Sequence, residues 1–197
     1  MHFTLVDYVC WCATRAVWAL GGIYNQLEGP HTERVSSRWL GMVGAVIVLW
    51  PLVLVAPGRL WPRLAFHAEW LTILGAVLLG VSTAFAIWAR FVLGRMWSGA
   101  PLVKKGHDPK TTGPYGVTRH PIYAGLLGMV IGVTLEHGFG KATPVLLVVF
   151  IFFEVKIHLE ERLMAERFGE QYAAYKRTVP QLAPGTKWLV RSWTKAK

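Results

Sequence analysis

Cysteine is nearly missing: Cys10 and Cys12 are the only two in 197 residues, and a single residue separates them inside an apolar stretch. On a helix they face different sides, so neither a disulfide nor a thiolate metal or haem site is expected from them. There is no H-E-x-x-H pair, no C-x-x-C-H attachment and no Rossmann glycine fingerprint. Zinc hydrolysis and c-type haem are thereby set aside, and no metal ligand is legible. Acidic residues are also scarce, 11 against 21 Lys and Arg, for a formal net charge of +10. The basic residues are spread over loops and a tail without a basic and aromatic strip, so lipid headgroups rather than nucleic acid are the expected partner. No A-x-A cleavage site follows the first apolar stretch, which carries Asp7 and Arg15 and reads as a retained helix.

What the chain has in abundance is apolar surface: 53% hydrophobic residues, mean hydropathy +0.38 and ten Trp. Such usage belongs to a polytopic membrane protein. A bilayer core is crossed by about 20 apolar residues in a helix. Phe3 to Tyr24, Trp39 to Ala56 and Glu69 to Leu93 meet that length. Two shorter runs, Pro121 to Leu135 and Thr143 to His158, are joined by a turn-like Glu136 to Lys141 and read as a helical hairpin with ends near the interface. Beyond it, Leu159, Leu163, Phe168, Tyr172 and Tyr175 recur at helical spacing, which predicts an amphipathic helix over Leu159 to Lys176. Pro180 and Pro184 end it, and Lys187 to Lys197 reads as an interfacial tail.

The expected fold class is therefore all-α: a membrane helical bundle of about five spans, with a C-terminal amphipathic helix over a cytosolic pocket. Residues 1–93 form an N-terminal membrane region of three helices, and residues 94–197 carry the loop, hairpin and C-terminal helix. With five spans and the N-terminus outside, fifteen Lys and Arg face one side and only Arg59, Arg63 and Lys141 the other. This bias places the fifteen in the cytoplasm. A bacterial inner membrane is the expected location.

Chemistry concentrates where the fourth apolar run begins. Arg119-His120-Pro121 puts Pro in the first helical turn, where free N–H groups and the positive end of the helix dipole attract anions. His120 adds one ring nitrogen as donor and the other as acceptor. The plain alternative is a snorkelling Arg119 and a capping His120. Glu160-Glu161 follows the fifth run and reaches the same depth as His120 if the short helices are antiparallel. The pair suits a cofactor's ammonium or ribose hydroxyls, or else a structural ion pair with Arg90 or Arg119. Glu154, His158 and Glu161 at i, i+4 and i+7 give one polar stripe.

These residues carry a resemblance. Leu93-Gly94-Arg95-Met96-Trp97-Ser98, Lys105-Gly106-His107, Thr111-Thr112-Gly113-Pro114-Tyr115, Arg119 to Gly125, Glu160-Glu161-Arg162-Leu163, Phe168 to Tyr175 and Val179-Pro180 occur in the order seen in the isoprenylcysteine carboxyl methyltransferase family. Residues of about 90 to 184 are covered; the earlier part resembles the family only as a hydrophobic region. The resemblance implies an S-adenosylmethionine-dependent membrane methyltransferase with its cofactor bound from the cytosol and a lipophilic or lipidated acceptor. It implies a cofactor region of His107, Tyr115, His120, Pro121, Tyr123, Glu160 and Glu161, and catalytic roles for Arg119 and Glu161, with Arg119 holding an acceptor carboxylate. His107 departs from the family pattern, being followed by Asp108-Pro109. Trp88, Phe91 and Trp97 are candidate lining for the acceptor. Methyl transfer is an in-line displacement, so alignment and exclusion of water are the protein's main tasks.

Two rivals stand beside it. A sterol-reductase-like membrane enzyme would bind NADPH, with Lys104, Lys105 and Lys110 near its 2′-phosphate, although Glu160-Glu161 is unwelcoming to phosphates. A non-catalytic haem-associated membrane protein would use His120 and His158 as axial ligands.

Overall fold

The computed structural model describes residues 4–28, 32–35, 65–97, 102–104, 110–140 and 142–182. The expected span over Trp39 to Ala56, His107 and the Lys187 to Lys197 tail lie outside them. Five helices and a short ribbon are described: α1 (Leu5–Glu28), β1 (Thr32–Val35), α2 (Glu69–Leu93), β2 (Leu102–Lys104), α3 (Pro114–Val117), α4 (Pro121–Glu136) and α5 (Ala142–Thr178). A 3₁₀ turn, Gly94–Met96, closes α2, with Gly94 at φ 55°.

The fold is all-α as expected, with one minor ribbon beside the helices. β1 and β2 pair antiparallel, with Thr32 opposite Lys104 and Val35 opposite Leu102. Strands of four and three residues are too short to show a period of two in the sequence.

α2 and α4 are the central pair, and small residues bring their backbones together. A Cβ on Gly125 would lie 2.7 Å from Ala86 Cβ, and one on Gly132 would lie 2.8 Å from the Gly75 carbonyl. Close approach of this kind holds helices together where surrounding lipid removes the hydrophobic drive. Leu79 and Met129 are fully buried at this contact, and α1 adds Cys10 to the same cluster. On the outside, Trp70, Ile73, Val77, Val81 and Phe91 of α2 and Ile151 of α5 are exposed, an apolar belt that suits acyl chains.

Among the described residues, α2 with its turn and α5 are long and apolar enough to cross a membrane, and α4 is a shorter apolar helix. α5 differs from the expected hairpin arm plus separate amphipathic helix. No break occurs at Leu159, and the helix runs on to a kink at Gly169, where φ is 49° and ψ is −122°. Glycine alone tolerates that backbone cheaply. The expected amphipathic face is present: Leu159, Leu163 and Tyr172 are buried while Arg162, Glu166 and Glu170 are exposed.

Candidate functional site

The sharp entry into α4 assembles the site. Gly113, at φ 60°, turns the chain into the single turn α3, and Thr118, Arg119 and His120 lead into Pro121 at the first position of α4. The free N–H groups expected there are partly used. Arg119 N–H donates to the Pro180 carbonyl at 2.8 Å and His120 N–H to the Gln181 carbonyl at 3.2 Å, while the Thr118 hydroxyl also donates to Gln181. The segment after α5 therefore straps the start of α4, and only part of its anion-attracting capacity remains. Tyr175 adds a hydrogen bond to the Tyr115 carbonyl at 2.6 Å. Burial pushes its hydroxyl up to about 12, with Glu161 adding to the rise and Arg119 opposing it, so Tyr175 remains a donor through the neutral range. Tyr115 is itself buried, and burial with the nearby Glu160 carboxylate raises its hydroxyl above the usual tyrosine range.

Glu160 and Glu161 do meet His120, as the antiparallel hairpin requires. Glu161 is the hub. Its Oε1 accepts from Arg119 Nε at 2.9 Å and lies 2.7 Å from Nη2, its Oε2 lies 2.7 Å from Lys176 Nζ, and His120 Nε2 stands 3.4 Å from Oε1. Burial opposes ionisation here, but the hydrogen bonds from His120, Lys176 and Arg119, with the Arg119 charge, outweigh it and bring the carboxyl down to about 2. Arg119 Nη1 donates to the Val179 carbonyl and, at 3.4 Å, to that of Lys176. Its guanidinium thus ties α5, the strap and the start of α4 together.

Glu160 has different surroundings. Tyr123 donates to its Oε1 at 2.6 Å, and its Oε2 stands 3.8 Å from His120 Nδ1, with 22% of the side chain exposed. His120 stacks on Tyr123 at 5.7 Å between centroids, and Tyr123 on Phe153 at 5.1 Å. Lys156 was not singled out by the sequence reading as a site residue. Its ammonium lies 5.2 Å from the Tyr123 ring centre although the residue is only 7% exposed. A lysine within an apolar run was the available signal.

The polar stripe is redistributed. Glu154 accepts from Gln181 Nε2 at 3.0 Å, but His158 is exposed and points away, while Lys156 takes its place among the buried groups. The proposed ion-pair role for Arg90 also fails: Arg90 is buried over the Trp97 ring at 4.5 Å and donates to the Gly94 carbonyl. Of the aromatic candidates, Phe91 is 69% exposed and Trp88 half exposed, whereas Trp97 packs edge-on against Trp18.

Short, tightly packed apolar helices carry a cluster of carboxylates, histidine and tyrosine at one end of a fold that has a counterpart among solved membrane proteins. A solved structure of the eukaryotic intramembrane Ras methyltransferase ICMT (isoprenylcysteine carboxyl methyltransferase) shares it, with TM-score 0.55 and 24% identity, over 78% of this chain and 55% of that one. The model of the phospholipid methyltransferase family matches residues 70–171, more than half of the chain, and the chain belongs to that family. It is 32% identical to the protein-S-isoprenylcysteine O-methyltransferase of Saccharomyces cerevisiae over 55% of this chain and 46% of that protein. To the cobalt-zinc-cadmium resistance protein CzcN of Cupriavidus metallidurans it is 31% identical, over 54% of this chain and 47% of the relative. The chain thus spans about half the length of these relatives.

Proposed function

We propose that this chain transfers a methyl group from S-adenosylmethionine to a lipophilic acceptor that reaches the site from the bilayer, a carboxylate of the prenylcysteine kind being the best match. The observation that carries this reading is the division of labour between two adjacent carboxylates. Glu161 is held by Arg119, Lys176 and His120, whereas Glu160 Oε2 stands 3.8 Å from His120 Nδ1, beside an aromatic stack and part exposed. A partly exposed carboxylate next to aromatic faces fits the ammonium or ribose hydroxyls of the cofactor and its cationic centre, so the residues present suit the group.

When bound, the cofactor supplies a methyl group activated on a sulfonium. The chain's own tasks are binding, alignment and exclusion of water. Glu160 accepts hydrogen bonds from the cofactor's polar end, and Tyr123 holds Glu160 in place through its hydroxyl. Tyr115 and Pro121 are buried, and His120 links Glu160 to Glu161. Arg119 acts as a positioning residue: its donors tie Glu161 to the strap, a different task from holding an acceptor carboxylate. Lys156 brings a second buried cation to the same ring, 5.2 Å from its centre. An acceptor that is already anionic requires no general base.

Calorimetric titration of detergent-purified protein with S-adenosylhomocysteine, with NADPH in parallel, tests this. The expected result is saturable binding of S-adenosylhomocysteine alone and transfer of labelled methyl to a prenylcysteine analogue. Binding of NADPH alone would replace this reading with a reductase.

A further inference from the structure

At the far end of α4, about 24 Å from His120 for a 16-residue helix, a second polar cluster is buried. Asp7 comes from the first turn of α1, Glu136 from the last turn of α4 and His137 from its C-terminal cap. Asp7 is 0% exposed and Glu136 7%. His137 Nε2 lies 2.7 Å from Asp7 Oδ2, which also accepts from the Thr4 N–H and hydroxyl. One ligand atom from each of the three residues lies within 4.8 Å of the others. Asp7 Oδ1 and Glu136 Oε2 are buried and have no hydrogen-bond partner among the described residues.

Two carboxylates withdrawn from water against one imidazole leave a negative charge that costs several kcal/mol unless compensated. We propose that Asp7, Glu136 and His137 form a binding site for a divalent transition-metal ion, with a neutral His137 as nitrogen ligand and two carboxylates balancing the charge. Ligand atoms about 2.0 to 2.2 Å from a metal at tetrahedral angles stand about 3.3 Å apart, so small side-chain movements suffice for three protein ligands and leave a fourth position open. One imidazole and two carboxylates suit zinc, cobalt, manganese or iron(II) better than a soft or purely oxygen-seeking ion. A cavity of about 420 Å³ between α1, α4 and α5 has Asp7 on its wall. The support is rigid: the Glu136 backbone lies against Gly75, where a Cβ would stand 2.5 Å from its N, and the His137 carbonyl meets His67 Nε2 at 2.7 Å. No sequence motif marks the site because its ligands come from positions 7 and 136–137.

Cobalt(II) titration of the full-length protein in detergent, followed by visible absorption, is the test, with metal content after dialysis against zinc measured by mass spectrometry. The expected result is one equivalent bound, a cobalt spectrum displaced by zinc, and a melting temperature raised by either ion. Asp7→Asn and Glu136→Gln should each weaken binding at least tenfold and abolish the thermal shift, while their melting temperatures without metal stay at or above that of the unsubstituted protein because a buried charge is removed. Absence of a cobalt band and of a thermal shift in the unsubstituted protein would overturn the proposal, as would equal binding by the variants.

Discussion

Glu160 and Glu161 are neighbours in sequence but answer to different partners, and their substitutions should separate accordingly. Glu160→Gln keeps the size and the Tyr123 contact but removes the charge, so S-adenosylhomocysteine affinity should fall about 10- to 100-fold, the worth of one charge-assisted hydrogen bond, with little change in melting temperature. Glu161→Gln leaves Arg119 and Lys176 without their carboxylate, so calorimetry and melting should both worsen. Because the folded Glu161 titrates at about 2, below its ordinary value of 4.5, its stabilising effect is complete above about pH 5 and is lost as pH falls toward 2. Melting curves should therefore show no pH dependence from Glu161 between pH 6 and 8, where its contribution is fully present. Arg119→Lys replaces a guanidinium that reaches a carboxylate and backbone carbonyls at once, so cofactor affinity itself should drop about tenfold or more. Unchanged affinity with reduced turnover would restore Arg119 as the holder of the acceptor.

At the scale of elements, the apolar runs were readable because membrane helices announce themselves by composition: Glu69 to Leu93 coincides with α2, and Pro121 to Leu135 ends one residue short of α4. The convergence of Arg119, His120 and Glu160-Glu161 was readable too, since a short antiparallel hairpin leaves few other arrangements. The unreadable parts depend on contacts between distant segments. Backbone carbonyls of Pro180 and Gln181 strap α4 without any side-chain signature, and the kink of α5 at Gly169 replaces an expected boundary at Leu159. The strap yields a prediction: truncation after Leu182 should preserve S-adenosylhomocysteine binding, whereas truncation after Val179 removes the acceptors for the Arg119 and His120 N–H groups and should abolish it. In the α2 and α4 pair, Gly132→Val would force branched carbons against the Gly75 carbonyl and the Leu79 backbone. Overpacking costs of about 1–3 kcal/mol or more follow, read as a lowered melting temperature and loss of binding together.

Over the whole molecule, the two polar clusters occupy opposite ends of α4, and the charge distribution orients them. The Arg119 and Glu161 cluster stands at the start of α4 and the Asp7, Glu136 and His137 cluster at its end. On the expected five-span arrangement, fifteen Lys and Arg against three would put the proposed methyl-transfer site in the cytoplasm and the second cluster on the other side of the membrane. Positions 166 and 67 report on this arrangement, because Glu166 and His67 are exposed at opposite ends of the helices. In a background with Cys10 and Cys12 replaced by serine, Glu166→Cys should react with a membrane-impermeant maleimide only in inverted vesicles, and His67→Cys only in intact spheroplasts. The opposite pattern would turn the molecule over, cutting the proposed methyl-transfer site off from cytosolic S-adenosylmethionine and giving the acidic cluster to the cytosol.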